Sequence, residues 1–442
     1  MPSQLSQLVS LITNATQLVE DTFAETAMPD VPSLDDTTPH PLDSGVLPVE
    51  MREAIQTIEG ACAQLCALVA RPNRTVLNIV EPACIRVIVN FNIADHLLDK
   101  PEGLHISELG ALSGAEPRKL GRIMRLLASK HCFREVDRDI FANNRLSMML
   151  LSTNGLSSLA DFFTDESNKA LSVLTETLKD PQWGHSYSSL EAPFNYWSKY
   201  PGTIYSWYQD MEVEKGVRFG IAMKGWGDST ETWAIVNAFP WSSLRDGATV
   251  CDVGGGIGVI SMQLADAYPN LRIVLQDVPS QIEMAKNEVW PTSCPAAVED
   301  GRVEFKAIDF FSESPVKDCD VYFLKNILHN WPDKECATIL TRVGNAMSTN
   351  SRLLIFDYII QHANRDKGTS QSAGLKPAPE PLLPNYGAGR MIQYNIDLDM
   401  MCVFNSQERS LDHFVKLGKE AGLKFVRVWD AREASVIEFC LE

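Results

Sequence analysis

The sequence predicts an α/β protein: a doubly wound, mostly parallel sheet closed by an antiparallel edge hairpin, preceded by an α-helical domain of winged-helix pattern. Three observations carry this. Five short β-rich runs, Ala248–Val253, Arg272–Gln276, Val303–Ala307, Val321–Leu324 and Arg352–Tyr358, alternate with helical segments. That order lays strands side by side in one direction, with helices on both faces. Two final runs, Lys424–Trp429 and Ala434–Leu441, are split only by a brief turn, so they pair as a hairpin. Residues 103–150 read helix, turn, helix, hairpin. The implied division is 1–200 for the helical domain and 201–442 for the sheet domain.

Residues 4–25 carry Leu5, Leu8, Leu11, Ile12, Leu18 and Val19 at helical spacing. The Pro/Asp-rich stretch Pro29–Pro48 is a linker or surface loop. From Glu50 to Leu98 the pattern is helical and unusually apolar. Ala61–Val69 and Ile85–Leu98 leave too little polar face for lone surface helices, so they pack between helices or against a second copy. In the winged-helix region His105–Leu109 starts a helix, a Glu-Pro step leads into Arg118–Ser129, and the strands Cys132–Val136 and Asp139–Ala142 flank the turn Asp137-Arg138. Trp207, Tyr208, Met211, Phe219 and Met223 form a helical stripe. Gln361–Arg390 is Pro/Gly-rich and aperiodic, the character of a surface insertion or a lid.

Composition narrows the function. The chain has 442 residues with 39 Lys+Arg against 57 Asp+Glu, a formal net charge of -18. Such an excess of acid argues against nucleic acid as the main partner and against an anionic membrane surface. Arg118, Lys119, Arg122 and Arg125 would make a basic recognition helix, but acids surround them. No run of 18 apolar residues occurs, and the N-terminus lacks a basic region and an apolar core of the signal-peptide kind. The sequons at Asn14 and Asn73 carry little weight without secretion. Ten cysteines without a CxxC pair read as buried reduced thiols of a cytoplasmic protein. The expected partners are a small-molecule substrate and another copy of the chain.

The chemistry gathers at the ends of the predicted strands. Asp252-Val253-Gly254-Gly255-Gly256-Ile257-Gly258 forms a strand-to-helix turn that lets a ligand approach the backbone. A dinucleotide fingerprint starting at Gly254 would need glycine at 259, where Val259 stands. The observed D-x-G-x-G-x-G is similar to class I methyltransferases that bind S-adenosylmethionine (SAM). Asp277 at the end of the second strand is placed to accept ribose hydroxyls. Asp309 and Phe310 at the end of the third are placed to meet adenine. The fourth strand runs into Lys325-Asn-Ile-Leu-His329-Asn-Trp331-Pro-Asp333.

With these residues the chain resembles the SAM-dependent O-methyltransferases of the plant caffeate and fungal secondary-metabolite type, over nearly its whole length. The tracts Lys376–Asn385 and Asp397–Met401 resemble the fungal branch. The resemblance implies an N-terminal dimerisation domain, a homodimer, a Rossmann-like SAM domain, and methyl transfer to a hydroxyl of an aromatic, phenolic or polyketide-like metabolite. It implies His329 as general base with Asp357 and Glu408 orienting it. Gly254, Gly255, Gly256, Asp277, Asp309, Phe310 and Lys325 become cofactor residues, and Trp207, Met211, Met223, Trp331, Met401 and Phe404 a substrate wall. No metal is needed. Asp357 stands where many plant members carry Glu. A phenol with a pKa near 10 attacks a sulfonium methyl poorly until its proton moves, and an imidazole with an ordinary pKa of about 6.5 is a fitting acceptor. Two rivals stand beside this reading. One is a pericyclase or dehydratase of the same fold that uses SAM as a fixed positive charge; the other is a SAM-sensing winged-helix regulator.

Overall fold

Ser3 opens the first helix: its Oγ accepts from the Ser6 N–H, and the helix runs Gln4–Ala24. The computed structural model describes residues 3–26, 28–40, 42, 47–69, 81–230, 232–365, 377–432 and 434–442. The chain divides into two compact units. One comprises the residues up to Asp180, Pro193–Ser229 and Ala378–Arg390; the other Pro181–Ala192, Thr230–Pro377 and Met391–Glu442.

In the first unit the helices Gln4–Ala24 and Val49–Val69 enclose a core of Leu8, Ala61, Ala378, Leu382 and Tyr386. The second half of the 361–390 insertion is therefore held by apolar burial and is no free surface loop. Its centre, 366–376 with Lys376, lies outside the described residues, as does 70–80 of the predicted helical run with Asn73. The winged helix is present. His105 caps the helix Ile106–Ser113, its Nδ1 accepting from the Ser107 N–H while Glu108 accepts from the His105 N–H, a reciprocal capping box. Pro117–Ser129 follows, with strands β1 (Leu104–His105), β2 (Arg134–Asp137) and β3 (Ile140–Ala142) in the order β1-β3-β2. Leu109, Leu120, Met124, Leu127, Phe133 and Phe141 fill its core. The hairpin turn lies one residue later than expected, at Arg138-Asp139. Asp139 takes a φ of 59° and its carboxylate accepts from Arg125 at 2.6 Å, so one of the four basic residues of that helix is spent internally.

The stripe expected over 207–223 is split between two helices, Ile204–Asp210 and Val213–Ser229. The N–H groups of Met211 and Glu212 both turn back to the Trp207 carbonyl, which ends the first helix. Cysteines Cys84, Cys251, Cys294, Cys319, Cys336 and Cys402 are buried as expected, but Cys62 and Cys66 sit exposed on the helix Val49–Val69, beside the exposed Leu68 and Val69.

The second unit is built on a seven-stranded sheet of strands β4 (Thr249–Val253), β5 (Arg272–Asp277), β6 (Val303–Ala307), β7 (Val321–Lys325), β8 (Arg352–Asp357), β9 (Leu423–Ala431) and β10 (Ala434–Leu441). Their order is β6-β5-β4-β7-β8-β10-β9. Strands β4 to β8 pair in parallel, and β10 enters antiparallel between β8 and the edge strand β9. The order reverses at β4, so the crevice outside the carboxyl ends of β4, β5 and β7 is where such a sheet receives a ligand. Val253, Tyr322, Leu324, Leu353, Ile355, Ile437 and Phe439 are buried against Ile339, Leu340 and Val343 of the helix Asp333–Ala346 and Phe414 and Leu417 of the helix Leu411–Glu420. Among the described residues no helix is long and apolar enough to cross a membrane.

Candidate active site

The glycine turn leaves β4 and enters the helix Val259–Ala267. Gly254 has a φ of 75°, and a Cβ there would lie 2.5 Å from the Ile327 side chain; a Cβ on Gly255 would lie 2.4 Å from the Asp252 carboxylate. Both positions thus exclude larger residues by contact. Around Gly256 a Cβ would meet nothing within 4 Å, so the turn opens there. Its N–H groups point inward. Gly254 and Gly255 donate to the Gln276 carbonyl (2.8 and 3.2 Å), Gly258 donates to Gly255, and Gly256 donates to Asp277 Oδ2 at 2.7 Å. A pyrophosphate nest needs those donors free, and here a carboxylate has taken one of them. The cradle suits a nucleoside without phosphates.

Asp277 ends β5, and its other oxygen accepts from the Val278 N–H at 2.7 Å. Burial pushes its carboxyl above the ordinary range, partly offset by the Gly256 and Val278 N–H groups. Each oxygen keeps a second lone pair for a hydroxyl. Asp309 is exposed and shapes its own turn, accepting from the Phe311 N–H and the Ser312 hydroxyl. Phe310 lies beside the cradle, its ring 3.5 Å from where a Gly254 Cβ would stand. Beneath the turn Asp252 is buried and accepts from the Ser261 hydroxyl at 2.6 Å. Burial raises its pKa to about 6 against the hydrogen bond from Ser261 and the charge of Lys325. Lys325, at the end of β7, is pushed down by burial and held up by Asp252 and Asp357.

His329 sits in the short turn Leu328–Asn330 that follows β7. Its Nδ1 is 2.7 Å from Glu408 Oε1. An ionised carboxylate only accepts, so Nδ1 carries the proton and the lone pair falls on Nε2. Burial works against the imidazolium, but the charge and hydrogen bond of Glu408, then the charge of Asp357, outweigh it and hold the His329 pKa above its ordinary value. Asp357 ends β8 fully buried, with neither carboxylate oxygen hydrogen-bonded among the described residues; burial pushes its carboxyl up to about 7. Of the two acids expected to orient the imidazole, Glu408 makes the hydrogen bond and Asp357 acts through its charge. The Glu408 N–H in turn donates to Asp397 Oδ1 at 2.8 Å.

The expected substrate residues fall in different settings. Trp331 is half-buried, edge-on to Phe311 at 4.7 Å and to Phe310 at 6.4 Å. Met401 is half-buried and Phe404 buried on the helix Met391–Phe404, which packs near the turn carrying His329. In the first unit Trp207 is buried edge-on against Phe194 and Trp197, whereas Met211 and Met223 are exposed by 67% and 39%. Sequence reading passed over Arg409 and the depth of Asp252. The signal for Arg409 was its place directly after Glu408; nothing local marks Asp252 as the acid that would be desolvated.

These shifts make stability depend on pH. Asp252 and Asp357 titrate near 6 and 7 when folded, well above an unfolded carboxyl, and His329 is also raised. All three bind protons more tightly in the folded state, so their contribution is complete below the unfolded values and is lost as pH rises through the folded ones. The Tm of the cofactor-free protein is expected to fall by on the order of 5 °C between pH 5.5 and 8, and Asp357→Asn to flatten that slope. Scanning calorimetry across the window checks both; a Tm that climbs with pH contradicts the burial of these groups.

A family profile described as an O-methyltransferase domain matches residues 222–424, and one described as an O-methyltransferase dimerisation domain matches 74–153. A protein of Phanerochaete chrysosporium named 3-O-methyltransferase 2 is 40% identical over 99% of this chain and 97% of its own. The mitomycin 7-O-methyltransferase MmcR shares the fold with a TM-score of 0.65 at 24% identity, covering 86% of this chain and 100% of its own. A structure described as a pericyclic reaction enzyme superposes with a TM-score of 0.69 at 19% identity, covering 97% of this chain and 99% of its own.

Proposed function

This chain belongs to the family of SAM-dependent O-methyltransferases, and on that premise we propose that it methylates a hydroxyl of an aromatic, phenolic or polyketide-like secondary metabolite, with His329 as general base. The observation that carries the reading is the 2.7 Å bond between His329 Nδ1 and Glu408, which leaves Nε2 as the basic nitrogen. Gly254, Gly255, Gly256, Asp277, Asp309 and Phe310 would hold the methyl donor, with Lys325 beneath them. The open space at Gly256 and the spare lone pairs of Asp277 support the fit. When bound, SAM supplies a methyl group already activated by a positive sulfur.

The chain's own part is to place and deprotonate the acceptor. The substrate hydroxyl would give its proton to Nε2, leaving its oxygen able to take the methyl group that bound SAM would supply as its C–S bond breaks and S-adenosylhomocysteine leaves. Glu408, hydrogen-bonded behind the ring, and Asp357, buried beside it, stabilise the imidazolium. Such base catalysis is worth roughly 10²–10⁴-fold, and the rest of the rate comes from alignment. Trp331, Met401 and Phe404 of the second unit form the proposed substrate wall; flat aromatics and pliant methionines suit a planar ligand. Homodimerisation through the helical unit belongs to the same proposal, supported by the dimerisation-domain match.

The rival, SAM-assisted ring closure or dehydration, draws on Lys325, a half-buried cation four residues before His329 that could polarise a carbonyl. Incubation with methyl-labelled SAM and a panel of aromatic metabolites separates the two. Methyl transfer predicts labelled product and an equal amount of S-adenosylhomocysteine. A converted but unlabelled product, with SAM intact, would replace this reading by the rival.

A further inference from the structure

The last residue of the His-x-Trp-x-Asp segment, Asp333, and the residue after Glu408 have no place in the chemistry above, yet they meet. Arg409 is 1% exposed and all five of its N–H groups have acceptors. Nη1 donates to the Leu328 carbonyl at 2.8 Å and to that of Gln407 at 3.5 Å; Nη2 donates to the Trp331 carbonyl at 2.7 Å. Nε and Nη2 both reach Asp333 Oδ1, at 3.1 and 3.0 Å. His413 Nε2 donates to Asp333 Oδ2 at 2.8 Å, and Gln407 Nε2 reaches Oδ1 at 3.3 Å. Leu328 and Trp331 bracket His329, so the guanidinium spans the turn that carries the imidazole.

We infer that Arg409, braced by Asp333 and His413, is a positioning residue that holds the His329 turn in register with Glu408. Three consecutive residues form the brace. Gln407 and Arg409 anchor the segment under the turn, and Glu408 between them reaches the ring. The far side of the segment is fixed as well: Arg409 bridges in parallel to Ile359 just beyond β8, and its carbonyl accepts from the Ile360 N–H at 3.0 Å. A buried cation is a poor device for stability alone, since a well-packed apolar side chain commonly serves as well or better. A planar fork with five fixed donors is well suited to setting the spacing of two carbonyls and a carboxylate. Asp333 stays ionised opposite that fork. Burial pushes its carboxyl up, but the hydrogen bonds from His413 and Arg409 outweigh that and hold it below the usual range.

The inference rests on His329 being the base, so His329→Asn is assayed beside the brace variants. Asp333→Asn keeps the shape and loses the charge that tethers Arg409. It is expected to lower kcat about tenfold, with SAM affinity by calorimetry unchanged within about twofold. The acid limb of the kcat–pH profile moves to lower pH, because a loosened Glu408 no longer raises the imidazole; Asp357 and Lys325, which also face the ring, stay in place. Arg409→Met gives the sharper sign. Removing a cation by Coulomb effect alone would raise the limb, whereas loss of position lowers it, and Arg409→Lys restores part of the rate. Wild-type kcat and an unmoved limb in Asp333→Asn, beside an inactive His329→Asn, overturn the brace alone. Wild-type turnover in His329→Asn overturns the base reading and the brace with it. If Arg409→Met does not fold, Asp333→Asn decides.

Discussion

His329→Asn is expected to lower turnover by roughly 10²-fold or more while SAM affinity changes by less than about twofold. The amide is close in size to the ring and can still reach Glu408, so the turn Leu328–Asn330, held by Arg409 at both carbonyls, keeps its shape. What goes is the basic nitrogen. The Asn oxygen is too weakly basic to take a phenolic proton, so the substrate must lose it to water before attack. Apart from Lys325 at the end of β7, the proposed cofactor residues lie on other elements: the β4 turn, the end of β5 and the loop after β6. Their hydrogen bonds do not pass through residue 329. Single-turnover assays with labelled SAM read the chemical step directly, and the acid limb that His329 imposes on kcat should vanish. A variant turning over at the wild-type rate would remove His329 as base.

The sheet was legible because each strand is a short apolar run stopped by a glycine, an acid or a polar turn, and because the helices between them fix the parallel order. The turn carrying His329 was legible for a different reason: His, Trp and Asp stand together within nine residues, from Lys325 to Asp333. Several features left no such mark. Strand β1 is two residues long and exists only because Leu104 and His105 pair with Phe141 and Ile140. The break after Asp210 depends on two N–H groups choosing one carbonyl. Ala378–Arg390 returns to the first unit through burial of Leu382 and Tyr386, a long-range choice that local composition does not carry. Desolvation is also invisible in a sequence. Asp252, Asp309 and Asp357 look alike as acids at strand ends, but one lies buried on a serine, one is exposed in its own turn, and one is buried with no hydrogen bond among the described residues. Their electrostatic parts differ accordingly.

Asp277→Ala should weaken SAM binding by about 1–3 kcal/mol, a rise in Kd of roughly 5- to 150-fold, with kcat at saturating SAM little altered. Two losses add. The ribose hydroxyls lose their proposed acceptor, and the Gly256 N–H loses the oxygen 2.7 Å away that ties the glycine turn to β5. Asp277→Asn separates them: its amide oxygen can still take the Gly256 N–H while the charge is gone, so its Kd should fall between wild type and Ala. The kinetic signature is the mirror of His329→Asn, one raising Kd and sparing kcat, the other sparing Kd and lowering kcat. That contrast follows from the fold, because Asp277 and His329 sit at the ends of different strands, β5 and β7, with β4 between them. Titration calorimetry with SAM and with S-adenosylhomocysteine reads the affinities. Both nucleosides share the ribose, so both should weaken by the same factor. Unchanged binding of either would place the nucleoside away from β5.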